Sequence, residues 1–415
     1  MTPNPPTAPR ARDRPRAATA WCCALLVGSA LLTGCDSSGG APRDPKPPSS
    51  GTPVPHGYVE GAEETSDQQS RLVLADADSG AVGVLDLIEG KVTPLTRAEG
   101  VQRLRTDGRF GYLGTAGATR VLDSGAWTVD HGDHVHYYRT AIRDVGTVDA
   151  AVPDRVHGDP ALTALSSGTG TLLLDREELE SGTAGPGRAL TGTGRGAVVP
   201  YREHLLVAST GAEHATVQVL DRDGAEVAAL AEPCARAAGE AVTRRGVVFG
   251  CADGALLVTE EKGTFSAAKI PYGTPVATAE RARELRHRAG STTLAATSGG
   301  DAVWILDVTE RAWTRVETGP VVAATTAGEG APLLALGKDG VLSAYDTATG
   351  ERTARTRLLS AKGAASAVIE IDTSRAYVND AAARKVYEID YNDRLRQART
   401  FPLGFAPTHM VETGR

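Results

Sequence analysis

A short strand ending in aspartate recurs along this chain. Val84-Leu85-Asp86, Val121-Leu122-Asp123, Leu173-Leu174-Asp175, Val219-Leu220-Asp221, Ile305-Leu306-Asp307, Ala344-Tyr345-Asp346 and Glu388-Ile389-Asp390 carry it, and Leu257-Val258-Thr259 is a degenerate copy. Neighbouring copies lie 37 to 52 residues apart, with a mean near 43. A unit of that length holds three or four short strands, and such units stack as the blades of a propeller. The alternation between copies is of strand type: Asp339-Gly340 opens Val341-Leu342-Ser343-Ala344-Tyr345, and Gly299-Gly300-Asp301 precedes Ala302-Val303-Trp304-Ile305-Leu306. The expected fold is therefore an all-β propeller, and eight copies favour eight blades over seven. The aspartates read as turn residues that bond the backbone, not as carboxylates for chemistry. Ala279 to Arg288 is the best short helix candidate. One blade cannot bury its own faces, so the ring must close, with Gly57 to Leu74 lying near residues 400–415.

The first 55 residues read as an address and a tether. Arg10, Arg12, Arg14 and Arg16 form a basic region before the apolar stretch Ala17 to Leu32, which has the charge asymmetry of a secretory signal. It runs into Leu32-Thr33-Gly34-Cys35, which resembles a bacterial lipoprotein processing site. Residues 1–34 are thus expected to be removed as a signal peptide. Cys35 would carry lipid on the outer face of the bacterial cell membrane. Asp36 to Pro55 is rich in Gly, Ser and Pro and forms a flexible linker, leaving residues 56–415 as a single domain.

Processing at Cys35 leaves two cysteines, Cys234 and Cys251. In an exported domain such a pair most often forms a disulfide; the alternative is a thiolate metal pair. The whole chain has a net charge of −7. Losing residues 1–34 takes away four Arg and one Asp and brings it to −10. There is no Lys/Arg cluster with interleaved aromatic residues, which argues against nucleic-acid binding. No apolar stretch after residue 40 is long enough for a transmembrane helix.

Chemistry concentrates in Asp130-His131-Gly132-Asp133-His134-Val135-His136-Tyr137-Tyr138, which holds three of the nine histidines. Alternate side chains of an extended strand share a face, so His134 and His136 can converge while Val135 points away. Gly132 permits a sharp turn that brings His131 or Asp133 back over the same point. Imidazoles with one carboxylate suit Zn²⁺, although copper and nickel would also bind such a set. His131, Asp133, His134 and His136 are the expected ligands. His157 and Glu240 are possible additions. His56 at the end of the tether could capture metal from solvent or simply be solvated. His204, His214, His287 and His409 have no partner spacing.

At this run a family resemblance becomes specific. With His56-Gly57-Tyr58-Val59-Glu60-Gly61-Ala62-Glu63-Glu64 and the terminal Glu412-Thr413-Gly414-Arg415, the chain resembles the AztD-type exported zinc metallochaperones over residues 56–415. The resemblance implies a propeller that hands Zn²⁺ to the solute-binding protein of a zinc ABC importer. It places the metal role on His131, Asp133, His134 and His136. The family carries further histidines where this chain reads Gly194-Arg195-Gly196 and Ala237-Ala238-Gly239, while Glu240 remains. A site completed from other blades would then be weaker or differently ligated.

No Gly-x-Ser-x-Gly elbow, His-Glu-x-x-His or phosphate loop is present. The expected function is accordingly a non-enzymatic zinc carrier and a monomer, membrane-attached only through its lipid. A metal-dependent propeller hydrolase is the alternative, and a protein-binding scaffold the blander third reading. An ion in a deep funnel beside a carboxylate would favour the hydrolase.

Overall fold

In the computed structural model, residues 57–192, 196–208 and 215–415 are described. Cys35, the signal peptide, the linker, His56 and His214 lie outside them.

Eight four-stranded antiparallel sheets occur among the described residues, with a smaller three-stranded sheet beside them. Every copy of the repeated motif falls on the third strand of a sheet, counted from the inside. Val82–Asp86, Thr119–Asp123, Gly170–Asp175 and Thr216–Leu220 are the first four such strands. Most of the aspartates do what turn residues do, while Asp123 and Asp390 pair with arginines. Asp86 Oδ1 accepts from the backbone N–H groups of Ile88 and Glu89, each at 3.0 Å. Asp307 does so from Thr309 and Glu310, and Asp346 from Ala348 and Thr349. Asp175 caps the short helix Arg176–Ser181 through the Glu178 N–H.

The ring is closed by the two ends of the domain. His409–Thr413, the last strand, pairs antiparallel with Arg71–Ala75, the second, and becomes the innermost strand of the first sheet. The apolar core follows the same circular plan, each cluster lying between neighbouring sheets. Val73 and Val84 of the first sheet meet Leu113 and Leu122 of the second. Tyr377, Val386 and Phe401 of the eighth meet Leu72, Leu74 and Leu85 of the first. Burial of this kind stabilises by about 25 cal/mol per Å² of apolar surface. No single sheet could supply it, because each of its faces needs a neighbour.

Cys234 and Cys251 form a disulfide with their Cα atoms 5.0 Å apart. Both are buried, so the thiolate-pair alternative is set aside. A loop of this length contributes about 3 kcal/mol. The bond also points to an oxidising, extracytoplasmic compartment. No helix among the described residues is long and apolar enough to cross a membrane.

The helix expected over Ala279 to Arg288 is corrected. That stretch holds a single 3₁₀ turn, Thr278–Glu280, followed by the inner strand Glu284–Arg286. Leu285 is buried between sheets and drives the strand, so tertiary packing overrides the local helical preference of the Ala/Arg/Glu run.

The closing strand carries one strained group. Glu412 is 1% exposed, and neither carboxylate oxygen has a hydrogen-bond partner among the described residues. Burial, reinforced by Asp372 and Glu370 against the opposing charge of Arg415, pushes its pKa up to about 8. The folded chain therefore holds a proton here that the unfolded chain has already lost. Stability falls as pH rises from the ordinary glutamate range to about 8. Glu412→Gln should abolish this dependence. We expect variant and wild type to match near pH 5, and the variant to be more stable at pH 8.5 by up to about 4 kcal/mol. Urea unfolding across pH measures this, and parallel stability curves would refute it.

Candidate metal centre

The histidine run is an insertion between the third and fourth strands of the second sheet. Ala126–Asp130 and Val135–Arg139 form a hairpin in register Asp130 opposite Val135 and Val129 opposite His136. Four residues, His131 to His134, make the turn. The His131 N–H donates to the His134 carbonyl at 3.0 Å, and the Gly132 N–H donates to Asp130 Oδ1 at 2.8 Å. Gly132 sits at φ +90°, in open space, so glycine is required there by the backbone and not by crowding. Glu63–Thr65 pairs with Val135–Arg139 as the third strand.

The hairpin is rooted at its base. Trp127 and Tyr138 face each other across the strands and stack with ring centroids 5.3 Å apart. The buried Arg109 guanidinium lies 3.8 Å from the centroid of the Trp127 ring. Arg109 is in turn fixed by Asp123, with Nη2 to Oδ2 at 3.0 Å. Burial opposes the charge on Asp123, but Arg109, Arg143 and the Gly125 N–H hold its carboxyl below the usual range. Thr128 Oγ1 donates to the Gly414 carbonyl, and the Trp127 indole N–H to the Gly57 carbonyl. The turn is tied down as well: Arg244, which follows the inner strand of the fifth sheet, holds Asp130 at 2.6 Å.

On this support, His131, His134 and His136 each turn one ligand atom to within 4.8 Å of the other two. The rings touch one another, with centroids 4.8 to 5.4 Å apart. Nitrogens in a tetrahedral zinc–imidazole site lie about 3.3 Å apart, so the set must close by up to about 1.5 Å around an ion. Rotation of exposed side chains supplies that much. Three imidazoles could hold a metal ion, and Zn²⁺ is among those the set suits.

Two of the rings are oriented by carboxylates. His134 Nδ1 lies 2.8 Å from Asp133 Oδ1, and His136 Nδ1 lies 2.6 Å from Glu64 Oε1. Glu64 stands opposite Tyr138 and therefore on the face of His136, one diagonal position away. A carboxylate on Nδ1 fixes the tautomer that offers Nε2 to a metal and raises the basicity of the ring. Asp133, expected as a ligand, thus stands in this structure beside His134, outside the group of three converging imidazoles. Glu64 sits 72 residues away from His136, and no spacing within the histidine run points to it.

His157 and Glu240 are placed together but not here. They line the channel enclosed by the inner strands, with His157 Nε2 3.0 Å from Glu240 Oε1. The other Glu240 oxygen accepts from Arg155 Nε at 3.0 Å. His287 and His409 are spent on backbone carbonyls, at Val242 and Gln102. Burial brings the His287 pKa down to about 4 and lowers that of His409.

Comparison with solved structures places this architecture. AztD from Citrobacter koseri superposes with a TM-score of 0.69 over 83% of this chain and 98% of its own, at 18% sequence identity. The chain has the AztD fold. The apo form of the Citrobacter koseri AztD gives the same TM-score at 17% identity. The dihydro-heme d1 dehydrogenase NirN, in complex with DHE, is more distant, with a TM-score of 0.52, 15% identity, and coverage of 84% of this chain and 76% of its own. Neither the family models nor the curated proteins compared with the chain match it.

The role given to Glu64 is testable within this AztD-type fold. Glu64→Ala should weaken zinc binding about 10- to 100-fold in competition with a chromophoric chelator. Glu64→Gln, which keeps an acceptor oxygen, should fall between the two. Circular dichroism should be unchanged, because the core lies between the sheets. Wild-type affinity in Glu64→Ala would remove the assignment.

Proposed function

We propose that this protein is a lipid-anchored, extracytoplasmic zinc-binding chaperone that delivers Zn²⁺ to the solute-binding protein of a zinc ABC importer. The observation that carries the reading is the convergence of His131, His134 and His136 on an exposed, rooted hairpin. The likeness to AztD supports it at the level of fold. Three imidazoles fill three of the four positions that zinc prefers. The fourth is left to water or to a side chain of the partner, which lets a second protein enter the coordination sphere before the first lets go. Exposure of the turn suits that exchange, whereas a deep funnel would obstruct it. The two neighbouring carboxylates, Asp133 and Glu64, are engaged by imidazole nitrogens, which supports orientation of ligands over activation of water. Anchoring at Cys35 would hold the carrier at the membrane surface where an importer works. Cys35→Ser should leave the chain unprocessed or soluble, and unchanged mass and membrane fractionation would count against the anchor.

Zinc titration tests the central assignment. Wild type should take up one tightly bound Zn²⁺, and His134→Ala/His136→Ala should lose at least 100-fold in affinity while keeping its circular dichroism. The loaded wild type should then pass its ion to the candidate solute-binding protein faster than buffer-released zinc arrives. Equal stoichiometry and affinity in the two proteins would sink the metal assignment and with it the delivery.

A further inference from the structure

The channel lining is unlike the rest of this acidic chain. At one end a cavity of about 520 Å³ is lined by Arg103, Arg105, Arg155, Arg283, Arg286 and Arg415. The strands Arg103–Thr106, Arg155–Gly158 and Glu284–Arg286 carry four of them, Arg283 adjoins the last, and Arg415 follows the closing strand. Four carboxylates share this lining: Asp154, Glu240, Glu284 and Glu370. Counting side chains alone, with the histidines neutral, six arginines face four carboxylates on this wall, in a protein whose net charge is −7.

The pairing shows where that excess sits. Arg103 is held by Asp154 at 3.4 Å and Arg155 by Glu240 at 3.0 Å. Arg286 has Glu284 at 3.2 Å and Glu370 at 3.8 Å, and Glu370 also faces Arg415 at 3.9 Å. Among the described residues, no carboxylate lies within ion-pair distance of Arg105 or Arg283. Arg105 gives Nε to the Asp154 carbonyl at 3.0 Å and Nη1 to the Leu104 carbonyl at 3.3 Å, so its neighbours fix its position without cancelling its charge. Burial and the like charges of Arg286 and Arg103 outweigh the opposing charges of Glu284 and Asp154 and lower its pKa from the ordinary arginine value. A half-buried cation held in this way gains from an anion that enters the cavity.

We propose that this end of the channel binds a small anion bearing two or more negatively charged oxygen groups, with Arg105 and Arg283 as its principal contacts. The fixed planar fork of a guanidinium pairs well with carboxylate or phosphate oxygens. The volume lies within the usual range for small-molecule sites. It admits a di- or tricarboxylate or a phosphate and excludes a folded domain. The site does not depend on the histidine hairpin, and its occupancy does not require zinc.

Calorimetric titration with tricarballylate and, separately, with inorganic phosphate tests this, with acetate at matched ionic strength as the monovalent control. At least one multivalent anion should bind one-to-one, and acetate should not. Arg105→Gln and Arg283→Gln should each weaken that binding at least tenfold, and raising salt should weaken it in the wild type. Arg283 is exposed, so its variant keeps the test sound even if Arg105→Gln folds poorly. His134→Ala/His136→Ala should bind the anion as the wild type does, so failure here is distinguishable from failure of the zinc assignment. Absence of binding by both anions, or undiminished binding in Arg283→Gln, would overturn the proposal. Binding of an acidic peptide in preference to either small anion would also overturn it.

Discussion

The pairing of His409–Thr413 with Arg71–Ala75 is the contact on which the rest of the molecule depends. Without it the first and eighth sheets would each expose an apolar face. Leu72, Leu74, Leu85, Tyr377 and Phe401 would lose the neighbours that bury them. The same closure puts Gly414 where its carbonyl accepts from Thr128 of the hairpin. It also places Arg415 against the channel wall. One long-range strand pair thus sets both the core and the two regions where chemistry is expected.

Function on this scaffold lives in what departs from the repeat. The hairpin Ala126 to Arg139 is extra chain inserted in the second sheet, and it needs its own foundation. That foundation is unusual: a buried arginine, compensated by Asp123, stacked against Trp127 and thence Tyr138. Its lower end is anchored by the Arg109–Asp123 ion pair and by the stacked rings above it. Its turn is exposed, with its backbone bonded internally and Asp130 tied to Arg244. An anchored base under an exposed turn fits the proposed role of holding an ion and then releasing it.

Much of this was legible in the sequence, for identifiable reasons. The strand-Asp period reported the sheets because the aspartate performs a local task, bonding N–H groups two and three residues ahead. The cysteine pair was legible because few pairings were open to it. The three histidines were legible because they are close in sequence. What escaped notice depends on residues far apart in the chain. Glu64 reaches His136 only through the added strand. The stretch after Ala279 has helical composition, but Leu285 finds a buried place between two sheets and makes it a strand. The channel arginines occupy inner strands separated by up to several repeats, so no spacing in the sequence announces their convergence.

The position of a bound metal ion decides between the hairpin and the channel. Crystals of the zinc-loaded protein, measured on both sides of the zinc absorption edge, locate it directly. The expected result is an anomalous peak on the hairpin within about 2.1 Å of imidazole nitrogens from His131, His134 and His136. A peak in the channel beside His157 and Glu240, with none on the hairpin, would contradict the account.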